Sequence, residues 1–202
     1  MYSSVVFDFG NVLCGVNRMA FSRAAAAHSR LGPGELDALL WGGRLERELE
    51  TGEIDSHDYF EKVRSLAKLD PDYSYEAFAS DFAKIIEPHP EGEEALRLAK
   101  RLGKRCFVLS NTSFIHAKCI FGNETLASLP ELHILSYKIG VMKPDPEIWR
   151  ALLRYSGLSA EECLYVDDVS EYCVTARKLG FGALCYDKNT QNLPKILADM
   201  LK

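Results

Sequence analysis

The stretch "VVFDFGNVL", residues 5–13, decides how the rest of the chain is read. Its first three residues are apolar with no polar alternation, the look of a parallel strand covered on both faces. Asp8 stands where that strand runs out into a loop, so its carboxylate is either a turn former or a chemical group. Three other apolar runs share the pattern, "CFVLSN", "CLYVDD" and "GALCYD", with "LHILS" at 132–136 as a weaker fifth. Helical patterns fall between them. "EGEEALRLAKRLG" runs from Glu91 with acids first, bases last and Gly103 as C-cap. "DPEIWRALLRYSG" offers Asp145 as N-cap, Pro146 at the first helical position and Gly157 as terminator. "SEYCVTARKLG" runs from near Ser170 to Gly180. Strands alternating with helices predict an α/β fold, a doubly wound, Rossmann-like parallel sheet.

Residues 16–86 break this rhythm. They hold helical stretches, such as "SHDYFEKVRSLAK" and "YEAFASDFAKII", separated by turn signals at "LGPG", "TGEI" and "LDPDY". The expectation is a small helical bundle inserted after the first strand. Residues 1–15 and 87–202 would then form the α/β core, with "EPHPEG" at 87–92 as the returning linker.

Bulk properties narrow the function. The net charge of −5 argues against nucleic acid as a partner, because a phosphate backbone demands a basic surface. Lys100, Arg101, Lys104 and Arg105 form the one dense basic cluster, and cations suit a helix C-terminus. No apolar run approaches the ~18–20 residues of a membrane span, and no signal segment is evident. The six cysteines show no C-x-x-C spacing and several lie in apolar runs, as buried thiols of a reduced compartment would. A cytoplasmic protein, monomeric or weakly dimeric, is expected.

In open α/β sheets ligands bind at the carboxyl ends of the strands. The first strand ends in Asp8, the second in Ser110-Asn111-Thr112, and the fourth in Asp167-Asp168. The loop after the weak strand carries Lys143 in "GVMKPDP". Each has an ordinary explanation taken alone: a cap, a turn, a solvated lysine. Together, in this order, they describe a crevice with three carboxylates, a hydroxyl and a lysine. Two carboxylates about 4 Å apart repel by roughly 4 kcal/mol at an effective dielectric of ~20. Three need a raised pKa or a cation. Hard oxygen donors without His or Cys favour Mg²⁺ over Zn²⁺, and such a site suits phosphoryl transfer.

These residues resemble the haloacid dehalogenase-like (HAD) hydrolase superfamily, phosphatase type with a class-1 helical cap. "VVFDFGNVL", "FVLSNTS", "KIGVMKPDPEIW" and "CLYVDDVSEYCVTARKLG" resemble its four ordered motifs, and "LETGEIDSHDYFEKV" resembles the E-x-G-x-I helix pair of the subgroup with sugar-1-phosphate phosphatases and epoxide hydrolase phosphatase domains. The resemblance implies a Mg²⁺-dependent phosphatase of a small phosphorylated metabolite, such as a sugar phosphate. Asp8 would be the nucleophile and form an aspartyl phosphate. Asp8, the Gly10 carbonyl and Asp167 would bind the metal, with Asp168 directly or through water. Ser110 and the Asn111 amide would hold phosphoryl oxygens, and Lys143 would tie nucleophile to phosphate.

Two departures stand out. Gly10 replaces the Asp that supplies proton transfer in most family phosphatases, a loss of roughly 10²–10⁴-fold unless another group supplies it. Glu48 or Glu53 of the cap, or a water, are candidates, and substrates with good leaving groups would be favoured. Tyr172 stands where the fourth motif often has Asn. A 2-haloacid dehalogenase is an alternative, disfavoured by Asp167-Asp168. A catalytically weak binding or regulatory protein is another, supported by Gly10. Cys14 reads as a packed thiol rather than an oxidisable one, His116 as a surface or helix histidine ahead of one facing the cleft, and Trp41, Tyr59 and Phe60 as cap core ahead of a pocket lining.

Overall fold

Val5, Val6 and Phe7 are fully buried and form the middle strand of a five-stranded parallel sheet. The computed structural model describes residues 2–202. In chain order its elements are β1 (Ser4–Phe7), β2 (Cys14–Val16), α1 (Arg18–Ala26), α2 (Pro33–Leu40), α3 (Arg44–Glu50), α4 (Ser56–Ala67), α5 (Tyr75–Ala83), β3 (Ile86–Pro88), α6 (Pro90–Arg101), β4 (Arg105–Ser110), α7 (Phe114–Gly122), α8 (Glu124–Ser128), β5 (Leu132–Leu135), α9 (Ser136–Ile139), α10 (Glu147–Ser156), β6 (Cys163–Asp167), α11 (Ser170–Lys178), β7 (Gly182–Cys185) and α12 (Leu193–Met200). The sheet order is β5-β4-β1-β6-β7, the doubly wound arrangement expected.

The unbroken apolar runs follow from this placement. Successive side chains of a strand point to opposite faces, and here both faces are covered. Val5, Phe7, Cys106, Val108, Leu164 and Val166 point into one apolar cluster, shared with Ala95, Leu96 and Leu197 of α6 and α12. Val6, Phe107, Leu109 and Tyr165 point into the other, against Ile148 and Trp149 of α10. Each fully buried aliphatic or aromatic side chain contributes about 1.5–3 kcal/mol.

Helices α1–α5 build a separate apolar cluster around Phe21, Leu36, Tyr59, Phe60, Phe78 and Phe82. Its aromatic rings meet edge-on and tilted, Phe21 lying 5.1 Å from Phe78 and 4.9 Å from Phe82. Tyr59 and Phe60 are core residues of this layer, as expected, whereas Trp41 is only partly buried and stacks on Phe82 at its edge. Asp55 caps α4 by accepting the His57 and Asp58 N–H groups.

Residues 87–92 are not a plain linker. β3 pairs antiparallel with β2, and α6 already begins at Pro90. The two short strands form a neck between the helical layer and the sheet. α10 starts one residue later than expected, at Glu147, with Asp145 Oδ1 accepting the Glu147 N–H at 2.9 Å. All six cysteines are free. Among the described residues no helix is long and apolar enough to cross a membrane.

Candidate active site

Strand order reverses at β1, with β4 and β5 on one side and β6 and β7 on the other. A crevice opens at the carboxyl ends of strands at such a switch point. Phe7 pairs with both Val108 and Val166, so Asp8 comes level with Leu109 and Asp167. Its N–H continues the ladder to the Val166 carbonyl at 2.8 Å.

Lys143 is the hub of the cluster. Its Nζ lies 2.6 Å from Asp8 Oδ1, 2.7 Å from Asp167 Oδ2 and 3.4 Å from the Leu109 carbonyl oxygen. The side chain is 1% exposed. Burial works against its charge, but Asp8 and Asp167 more than offset this and hold it above the ordinary lysine range. Its backbone is clamped by Asn111, whose Nδ2 donates to the Lys143 carbonyl at 2.9 Å and whose Oδ1 accepts the Lys143 N–H at 2.8 Å. The Tyr172 ring centroid lies 5.0 Å from Nζ, a cation–π contact at the position where an Asn is usual in the resemblance.

The two acids after β6 are not equivalent. Asp167 is fully buried; its Oδ2 also accepts the Tyr165 hydroxyl and its Oδ1 the Val169 N–H. Asp168 is partly buried and faces the cleft, its Oδ2 accepting Asn11 Nδ2 at 3.0 Å. Asn11 holds a left-handed backbone, φ 56°, which Asn tolerates, and its Oδ1 accepts from Lys188. Burial pushes the carboxyls of Asp8 and Asp168 up, Asp8 to about 7 despite the pull of Lys143. Asp8, Asp167 and Asp168 each offer an oxygen within 4.8 Å of the others. Three carboxylates against one ammonium leave two net negative charges, and hard oxygen donors without imidazole or thiolate fit Mg²⁺.

The cleft above this cluster has a volume of about 640 Å³. Asp8, Gly10, Asn111, Lys143 and Asp168 line its floor; Arg18, Asp37, Trp41, Glu46 and Glu50 line it from the helical layer. Ser110 lies beneath that floor, 1% exposed, its hydroxyl donating to the Asn111 carbonyl. Thr112 N–H is taken by Ser136. A Cβ added at Gly10 would sit 3.9 Å from Asp8 Oδ2, so position 10 stands beside the oxygen that Lys143 leaves free.

Glu48 and Glu53, the cap acids expected near the chemistry, are elsewhere. Glu48 is held by Arg44 and Lys62 at 2.5 Å each, and Glu53 is exposed. His116 is buried rather than on the surface: it sits in α7, lines the cleft and meets the Phe82 carbonyl oxygen through Nε2 at 3.1 Å. Arg18, Glu46 and Glu50 went unread in the sequence. Glu50 is the Glu of the E-x-G-x-I pattern, the one signal that pointed to it. Cys14 is buried and its thiol is pushed up by burial and by Asp8, an inert group.

The profile of haloacid dehalogenase-like hydrolases matches residues 2–171. The chain is 27% identical over 205 residues to a protein named Phosphatase MT3486 from Mycobacterium tuberculosis, spanning 98% of this chain and 93% of that one. It is 27% identical over 196 residues to D-ribitol-5-phosphate phosphatase from Bacteroides thetaiotaomicron, spanning 90% of each. A crystal structure of a HAD family enzyme from Bacteroides thetaiotaomicron, in complex with magnesium and inorganic phosphate, superposes with a TM-score of 0.81. It shares 21% identity over 95% of this chain and 97% of that one, a likeness of fold. The family match runs from β1 into α11 and so takes in every strand end that builds this site: the chain belongs to the haloacid dehalogenase-like hydrolases.

Proposed function

We propose that this hydrolase is a Mg²⁺-dependent phosphatase of a small phosphorylated metabolite, a sugar or polyol phosphate. The observation that carries the reading is the convergence of Asp8, Asp167 and Asp168 on one point beside a buried lysine at the floor of a cleft. A dehalogenase needs no such trio of oxygen donors. The two relatives named as phosphatases support the reaction class, and the one named for D-ribitol-5-phosphate supports the substrate class. The cleft is large enough for a small sugar phosphate.

Asp8 attacks phosphorus through Oδ2, the oxygen with no partner among the described residues, while Lys143 holds Oδ1 and fixes the carboxylate plane. The P–O bond to the leaving group breaks and an aspartyl phosphate forms; water then hydrolyses it. Asp8, Asp167, Asp168 and the Gly10 carbonyl would hold Mg²⁺. Asp167 also accepts from Lys143, Tyr165 and the Val169 N–H, which fix its orientation. A Mg²⁺ ion held there would neutralise phosphoryl charge and help align the phosphorus. The Asn111 amide and Lys143 receive phosphoryl oxygens, and Ser110 closes the floor beneath them. Residues 16–86 act as a cap over the core formed by 1–15 and 87–202, and choose the substrate. The six free thiols suit the cytoplasm.

The test is phosphate release from p-nitrophenyl phosphate and a panel of sugar and polyol phosphates, with Mg²⁺ and with EDTA. Chelator-sensitive release from at least one substrate is expected. Its absence from all of them would sink the phosphatase reading.

A further inference from the structure

The proton chemistry of the site has no donor in the catalytic loop, because Gly10 leaves empty the place beside Asp8 Oδ2. Across the cleft stand three carboxylates of the helical layer, Asp37, Glu46 and Glu50. Two are committed. Asp37 accepts the Ser22 hydroxyl at 3.3 Å, and Glu46 is bound by Arg18 at 3.0 Å and by the Gly42 N–H at 2.5 Å. Glu50 alone of the three has no hydrogen-bond or ionic partner among the described residues, although it is partly buried and lines the cleft with Asp8 and Lys143. An uncommitted carboxyl that has lost much of its water is poised for a partner that arrives with substrate.

Its position is fixed from the core. Glu50 is the last residue of α3, and two residues on, Gly52 turns at φ 70°. A Cβ built at Gly52 would run into the Tyr137 carbonyl of α9, so only glycine lets this end of α3 seat so closely on the core.

We propose that Glu50 is the general acid and base of this phosphatase, supplied by the cap in place of a side chain at Gly10. The assignment rests on the phosphatase reading above. In the first half-reaction Asp8 Oδ2 bonds to phosphorus, the P–O bond to the leaving group breaks, and the Glu50 proton passes to the leaving oxygen. In the second the Glu50 carboxylate takes a proton from water as that water attacks phosphorus. The bond to Asp8 breaks, phosphate leaves, and both residues return to their starting state. The charges around Glu50 suit the first role. Burial, with Glu46 on its own helix and Asp8 below, pushes its carboxyl up, while Arg18 of α1 and Lys143 pull it down; the balance leaves it at about 8, protonated at neutral pH. The remaining groups that face the cleft are Asp37 of α2, His116 of α7, Asp168, and Tyr172 of α11.

The experiment compares wild type, Glu50→Gln, and Glu50→Gln combined with Gly10→Asp, each with Mg²⁺. The substrates are ribitol 5-phosphate and glycerol 1-phosphate, whose leaving groups need a proton, and p-nitrophenyl phosphate, whose leaving group does not. Glu50→Gln is expected to lower kcat on the alkyl phosphates by on the order of 10²–10³-fold with an unchanged melting temperature. On p-nitrophenyl phosphate it should release a burst of one nitrophenolate per enzyme before slow turnover, because the water step still lacks its base. The wild-type alkaline limb on alkyl phosphates should vanish in the variant. Gly10→Asp should restore at least about tenfold, since only Val16 Cγ2, at 3.1 Å, must shift to admit a Cβ there. An alkyl-phosphate kcat within about threefold of wild type overturns the assignment. So does a loss confined to KM, or an equal loss on both substrate classes with no burst and no rescue. These failures leave wild-type chelator-sensitive turnover intact; loss of that turnover would instead strike the phosphatase reading itself.

Discussion

At the residue scale, the site is a problem of buried charge. Asp8, Lys143 and Asp167 are each no more than 10% exposed at the side chain, and the lysine bridges the two acids at 2.6 and 2.7 Å. Removing one member of a buried ion pair costs about 3–5 kcal/mol where the partner is left alone. Asp8 is the exception, because Lys143 keeps Asp167 when Asp8 is gone. Asp8→Asn also preserves side-chain volume and removes a carboxylate that burial disfavours. It is therefore expected to abolish phosphate release while changing the unfolding free energy by no more than about 1 kcal/mol. Steady-state assays and urea titration check the two halves; turnover near the wild-type rate would remove Asp8 as nucleophile. The groups that meet here were legible in the sequence because a parallel sheet brings every strand end to one edge, so Asp8, Ser110 and Asp167-Asp168 had to converge. The different burial and partners of Asp167 and Asp168 were not, because they depend on which side chain Tyr165 and Lys143 reach.

At the scale of elements, legibility followed length and burial. β1, β4 and β6 are covered on both faces and read as unbroken apolar runs. β2 and β3 have three residues each, and "IEP" carries no period that a reader could find; their pairing is decided by the neck that the inserted helices require. Cap helices were visible from turn signals, but not which of their faces meets the cleft. For that reason Glu48 and Glu53 were expected there and Glu50 was found. His116 illustrates the same point. A carbonyl only accepts, so His116 Nε2–H donates to the Phe82 carbonyl in the last turn of α5. The bond joins α7 of the core to α5 of the helical layer. Burial, with Arg18 adding to it, pushes the imidazole down to about 4 against an ordinary value of 6.5. Between those values the unfolded chain binds a proton that the folded chain refuses, so stability falls as pH falls from 6.5 through 4. The full effect is about 3 kcal/mol. His116→Gln keeps a donor without the titration, and its urea-derived stability should fall less than the wild type's between pH 7 and pH 4. Parallel losses in the two proteins would show that His116 is not the responsible group.

At the scale of the whole molecule, the chain has three apolar clusters, one around Phe21 and Phe82 in the helical layer and one on each face of the sheet, with the cleft between the helical layer and the sheet. The helical layer meets the rest at the β2–β3 neck, at the packing of α5 on α7 with its His116–Phe82 bond, and at the seat of the Gly52 turn on α9. The Gly52 seat positions the end of α3, and with it Glu50, over the core. Gly52→Ala tests that role. The new methyl group would meet backbone, which cannot rotate away, and φ 70° is strained for alanine. The turn must lift from Tyr137 and carry the end of α3 with it, while the apolar clusters on the two faces of the sheet stay as they are. Folding should therefore lose only about 1–2 kcal/mol. Activity should lose far more, on the order of 10²-fold in kcat for alkyl phosphates, because a displacement near 1 Å at a proton donor carries that penalty. On the proposed mechanism, phosphorylation by p-nitrophenyl phosphate draws only on Asp8, Lys143 and the floor of the cleft, and should be nearly spared in a rapid-mixing measurement. If alkyl phosphates are turned over at the wild-type rate by a protein of lowered stability, the Gly52 seat is only a packing contact.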